Sequence, residues 1–148
     1  MKVFLDTNII LDLLLEREGF EDSAELFRLQ EDGRLKLYVS YLTMVNIAYV
    51  YRKTVGQNMA VANLKYLSAL VGVLSMDEGQ FQKALLMSGP DIEDIFQATC
   101  AADAGMDCII TRNVKDFRIR QGLGPQVRMP DVKTPAGLLS QFPQLEII

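Results

Sequence analysis

The hydrophobic positions of this chain change period repeatedly, and each change marks an element. Residues 2–5 (KVFL) form a short apolar run that predicts a buried strand. Asp6, Thr7 and Asn8 then offer capping side chains ahead of the apolar helical run 9–15. Residues 20–32 place Ala24, Phe27, Leu26 and Leu29 at helical spacing, with Gly33 as the stop, and residues 35–39 alternate like a strand. Ser40 opens a long helix over 41–54 closed by Gly56. Its Leu42, Val45, Ile47, Tyr49 and Val50 give an apolar surface broad enough to lie against a sheet. Residues 57–70 predict another helix, with Ala60, Val61, Leu64 and Leu67 in phase, and residues 71–76 a short strand. Asp77 caps a helix to about Met87, stopped by Ser88, Gly89 and Pro90.

The second half repeats the pattern. Residues 91–104 predict a helix ended by Gly105, with Ile92, Ile95, Phe96, Thr99 and Ala102 as its buried stripe. Residues 107–111 read as a strand apolar on both faces, as in a parallel sheet, and 112–117 as a polar turn or short helix. A glycine and proline segment, 122–125, leads to an expected last strand at 127–129, and Thr134 caps a terminal helix to Gln141 with Pro135 first. Strands alternating with helices call for an α/β fold of three layers, a mostly parallel sheet of four or five strands flanked by helices. A chain of 148 residues suits a single domain over 1–148.

Composition narrows the chemistry. With 49% apolar and 23% charged residues the chain has the balance of a folded protein. The apolar run at 9–15 contains Asp12 and is far shorter than the roughly 20 residues that span a bilayer. The start also lacks a basic region and cleavage site, so the expectation is a cytoplasmic protein with no membrane contact. Cys100 and Cys108 have no partner set resembling a zinc site and are expected as buried filler. The absence of histidine removes the commonest general base and the imidazole ligands, leaving carboxylates and a hard cation for any hydrolysis. The net charge of -4 is unevenly spread: residues 1–33 carry -6 and residues 112–133 carry +4. That basic flank suits either a phosphate backbone or plain solvation.

Candidate chemistry collects at one end of the expected sheet. Asp6 follows the first strand, where it is either a helix cap or part of a ligand site. Asp94 lies in the first turn of its helix, three residues after Asp91; Thr111, Asn113 and Asp116 follow a later strand. If these strands are parallel neighbours, three carboxylates converge in one crevice and repel one another unless a cation neutralises them. Such a set fits magnesium or manganese, which keep several waters, and fits zinc poorly.

The ordered blocks FLDTNIILD, SYLTMVNIAYVYRK, DIEDIFQATCA and IITRNVKDF resemble the PIN domain family, including the toxin endoribonucleases of bacterial toxin-antitoxin pairs, over about residues 1–118. The resemblance implies cleavage of single-stranded RNA with Mg2+ or Mn2+, an antitoxin protein as partner, and a homodimer. It places the family's acids, catalytic and metal-binding, on Asp6, Asp94 and Asp116, and its polar positions on Thr111 and Asn113, which would orient water or phosphate. One position departs. Asn46 stands where the family commonly has a glutamate; its amide oxygen can still ligate a hard cation at this candidate catalytic position but brings neither charge nor basicity, so the expectation is either weaker metal affinity or a missing second ion site. Asp91 or Asp12 then either compensates or is an ordinary surface acid. The alternative is a silent domain that binds RNA or a partner without turnover. A phosphatase with Asp6 as nucleophile is disfavoured, because that chemistry needs an acid where Asn8 stands. Tyr38, Tyr41, Tyr49 and Tyr51 are expected as half-buried packing in preference to a partner groove.

Overall fold

The computed structural model describes residues 1–122 and 126–143. Its centre is strand β1 (Lys2–Leu5), bordered in parallel by β2 (Lys36–Ser40) and by β4 (Cys108–Ile110). β3 (Gly72–Leu74) and β5 (Asp131–Lys133) complete a five-stranded, wholly parallel sheet in the order β3-β2-β1-β4-β5. Helices α1 (Thr7–Leu15) and α2 (Phe20–Glu31) link β1 to β2, and α3 (Tyr41–Val55) and α4 (Gln57–Leu70) link β2 to β3. The chain then returns through α5 (Glu78–Leu85) and α6 (Ile92–Asp103) to the other side of β1. The direction of winding therefore reverses between β1 and β4, and such a reversal opens a crevice at the strands' C-terminal ends.

Side-chain alternation explains the two layers of helices. Val3, Leu5, Leu37, Val39, Cys108 and Ile110 face a core shared with Ile9, Leu26, Ile47, Tyr51, Leu67 and Leu138, the last from α7 (Pro135–Leu139). Phe4 and Ile109 face the opposite side, against Ala98, Cys100 and Ala101 of α6. Both cysteines are free and buried, and burial pushes each thiol up to about 11, so they serve as packing groups. Among the described residues, no helix is long and apolar enough to cross a membrane.

Three expectations change. The last strand lies at Asp131–Lys133, not at 127–129. The Gln121 side chain engages both the N–H (2.9 Å) and the carbonyl (2.7 Å) of Val127, and Pro130 has no N–H, so ladder pairing begins just after the proline. In α3 only Thr43, Ile47 and Tyr51 are buried, whereas Val45, Tyr49 and Val50 are exposed together with Tyr41, because α1 and α4 cover a single stripe. In α6 Ile92, expected in the buried stripe, is exposed, and Gln97, outside that stripe, is buried. The expected glycine and proline segment lies partly outside the described residues, which omit 123–125 and 144–148.

Candidate active site

Asp6 is fixed from three sides. Its N–H donates to the carbonyl of Ile110 (2.9 Å), carrying the β1–β4 pairing one residue past the strand before α1 begins. Its Oδ1 accepts from the Thr7 N–H (2.8 Å), and its Oδ2 accepts from the Thr111 hydroxyl (3.0 Å). Asp6 is thus both the cap of α1 and a member of the crevice. Only 7% of it is exposed. Burial pushes its pKa above the ordinary value, against the opposing pull of the Thr111 and Thr7 hydrogen bonds. The Asn113 N–H donates to the Thr111 hydroxyl (3.2 Å), and the Asn113 amide donates to Oδ2 of Asp116 (2.7 Å) within a 3₁₀ turn over Val114–Phe117. One line of hydrogen bonds therefore joins Asp116 to Asp6.

The start of α6 supplies the opposite wall. Asp91 caps it by accepting from the N–H groups of Glu93 (2.8 Å) and Asp94 (3.3 Å). Asp94 is pushed up to about 7, first by desolvation and then by the charges of Asp6, Asp91, Asp116 and Glu93. From α3, the Asn46 amide donates to Oε1 of Glu93 at 2.6 Å. Glu93 is itself raised, by burial and by Asp6 and Asp91, with the Asn46 bond pulling the other way. These groups line an open cavity of about 680 Å³ that contains Asp6, Asn46, Asp94, Thr111, Asn113 and Asp116 together, with Glu93, Asp91, Arg112 and Tyr49.

A buried polar seam lies beneath. The Gln97 amide donates to the hydroxyls of Thr43 (2.6 Å) and Thr7 (3.2 Å), and its oxygen accepts from the Ser40 hydroxyl. Ser40 also caps α3 by accepting from the Thr43 N–H (3.0 Å). The first turns of α1 and α3 are thereby tied to α6. Sequence reasoning missed Gln97 and Glu93. The available signal was their spacing, since residues 93, 94 and 97 share one helical face.

Asp12 faces away from the cavity chemistry. It is 3% exposed, with Oδ2 against Arg112 Nε (3.2 Å) and Oδ1 near an Arg17 terminal nitrogen (3.7 Å). It holds the Arg112 guanidinium at the cavity wall and does not itself line the cavity.

The donors in the cavity are carboxylate, amide and hydroxyl oxygens, with net negative charge and no nitrogen or sulfur ligand. Among the described residues no three acidic, cysteine or histidine side chains stand close enough together to hold a metal ion directly as they are placed. That combination fits a hard cation that keeps much of its water.

Sequence and structural comparisons agree on what this architecture is. The chain belongs to the PIN domain family, whose profile matches residues 2–115. Among relatives, Ribonuclease VapC1 of Aquifex aeolicus is 27% identical over 122 residues, covering 78% of this chain and 83% of that protein. Solved structures share the fold, among them the following. VapBC2 from Rickettsia felis, bound to a promoter DNA fragment, superposes with a TM-score of 0.67 at 13% identity, covering 90% of this chain and 98% of that one. DNA-bound VapBC from Salmonella typhimurium gives 0.66 at 17% identity, covering 91% and 98%.

Proposed function

We propose that the protein is a metal-dependent endoribonuclease that cleaves single-stranded RNA, and the toxin of a toxin-antitoxin pair in the cytoplasm. The observation that carries this is the gathering of Asp6, Asp94 and Asp116 in one cavity, where desolvation first and the neighbouring carboxylates second raise Asp94 to about 7. Asp6, Asp94 and Asp116 would hold Mg2+ or Mn2+. A bound ion would lower the pKa of a water and stabilise charge on the phosphodiester. Thr111 keeps Asp6 turned into the cavity, and Asn113 does the same for Asp116.

Substrate features follow from the rim. Arg112 offers a cation to a phosphate, and Tyr49, 56% exposed at the cavity, carries Lys53 (4.2 Å) and Arg52 (5.2 Å) over its ring, which places two further cations beside it. Arg120 pairs through its backbone with Ser88 (2.9 and 2.7 Å), which brings the basic segment beside the entrance to α6. The VapC name of the relative and the VapBC complexes among the structural neighbours support an antitoxin protein as partner. A homodimer is the expected assembly, and exposed Tyr41, Val45 and Ile92 are apolar surface available to a partner.

Labelled single-stranded RNA incubated with Mn2+ or Mg2+ tests the proposal. Cleavage by the natural chain, lost in chelator and in Asp6→Asn, is expected; cleavage that persists in both overturns it. A second reading, binding of RNA or a partner without turnover, is favoured by Asn46 at a position that commonly carries an acid. It requires RNA to be retained without product, and activity to emerge in Asn46→Glu.

A further inference from the structure

We infer that Glu93, held in place by Asn46, is the carboxylate that stands in for the glutamate missing from α3, so that the acid has moved across the cavity to α6. This rests on the metal-dependent reading of the site and deepens it. Asn46 and Glu93 lie 47 residues apart in the chain, yet the amide of one donates to the carboxylate of the other at 2.6 Å. Both line the cavity that holds Asp6 and Asp94. Their juxtaposition is fixed from below. Thr43, one turn before Asn46, meets Gln97, one turn after Glu93, at 2.6 Å in the buried seam. The Asn46–Glu93 bond repeats that contact one turn nearer solvent.

The chemistry of the pair is specific. An amide nitrogen can only donate, so the Asn46 group assigned to Glu93 holds the glutamate through one oxygen and leaves the second for a cation or its water. The other two candidate acids lack that tie to Asn46. Asp12 is paired with Arg112 and Arg17, and Oδ1 of Asp91 accepts from two backbone N–H groups at the helix start. Glu93 would hold the ion or its water through the second oxygen, and Asn46 positions Glu93.

Mn2+ binding measured by calorimetry and by the paramagnetic resonance of free Mn2+ tests this, with circular dichroism to check folding. Glu93→Gln keeps an oxygen for the Asn46 amide and removes only the charge. It is expected to weaken Mn2+ binding about 10- to 100-fold, and Asn46→Ala about tenfold, the range for groups that orient or supply metal ligands. Asn46→Glu combined with Glu93→Gln returns the acid to α3 and is expected to restore most of the affinity, which a merely structural role for Glu93 would not do. Wild-type affinity in Glu93→Gln alongside lost binding in Asp6→Asn overturns the inference and spares the site. Failure of the double variant to regain affinity also counts against the inference. Absence of Mn2+ binding to the natural chain overturns the site reading itself.

Discussion

Thr111 donates a 3.0 Å hydrogen bond to Asp6 across 105 residues of sequence, and the two residues close adjacent parallel strands. The same hydroxyl accepts from the Asn113 N–H, so one buried side chain aligns both ends of the acidic cavity. Thr111→Val keeps the shape and leaves a buried carboxylate oxygen unpaired, which costs about 1–3 kcal/mol. Urea denaturation is expected to register that loss and an RNA cleavage assay a lower rate, with Thr111→Ser retaining most of both. Unchanged cleavage in the valine variant would show that Asp6 needs no such alignment.

Gln97 concerns stability more directly. Its amide is fully buried and connects hydroxyls from the first turn of α1, from the first turn of α3 and from the cap of α3. Gln97→Leu fills similar space but withdraws those partners. The Thr7 and Thr43 hydroxyls still meet each other at 2.8 Å, which limits the damage. The expected destabilisation is about 1–3 kcal/mol in chemical denaturation. Looser positioning of Asn46 against Glu93 should also weaken Mn2+ binding. A leucine variant as stable as the natural chain contradicts the role of the seam.

The fold was legible wherever local chemistry decides it. The strand at Lys2–Leu5, the helix at Gln57–Leu70 and the Thr134-Pro135 helix start all follow from burial period, capping and the fixed proline φ. The last strand was not legible, since the Gln121 clamp on Val127 is a side-chain contact across a short loop that no hydrophobic period encodes. The gathering of Asp6, Asp94 and Asp116 was anticipated because strand ends in a parallel sheet share an edge. The Asn46–Glu93 and Gln97 contacts were not, since they depend on how α3 crosses α6, and no local pattern encodes that crossing. The exposure of Tyr41 and Tyr49 has the same cause, being set by which face of α3 its neighbours cover.

Asp94 gives the site a pH dependence of definite sign. Its pKa is raised from 3.8 to about 7 in the folded protein, so the folded state holds the proton more tightly than the unfolded one. Below 3.8 both states are protonated and the group has no effect. Between 3.8 and about 7 the metal-free protein loses stability as pH rises, and above 7 the penalty is complete. Metal-free samples should therefore melt at higher temperature at pH 5 than at pH 8 as far as this group is concerned, and saturating Mn2+ should flatten or reverse the trend. Mn2+ affinity should fall as pH drops through 7, because proton and cation compete for the same carboxylate. A difference in melting temperature between pH 5 and pH 8 that Mn2+ leaves unchanged would assign the dependence to other groups.

Arg112 is the counter-ion of a buried acid, Asp12, and also lines the cavity. The carboxylate is buried, and its Oδ2 faces Arg112 at 3.2 Å; Arg17 stands farther off, at 3.7 Å from Oδ1. Arg112→Ala leaves that charge with its weaker partner. Removing one member of a fully buried pair costs about 3–5 kcal/mol, but Arg112 is half exposed, so about 1–3 kcal/mol is expected here. Asp12→Asn in the same chain should recover part of the loss, since an amide carries no charge to strand. The binding effect should not recover with it. If Arg112 meets a phosphate, its removal lowers the slope of log affinity against log salt for single-stranded RNA by about 0.7 in both the single and the double variant. Recovery of RNA binding along with stability would mean that Arg112 acts only as the counter-ion of Asp12.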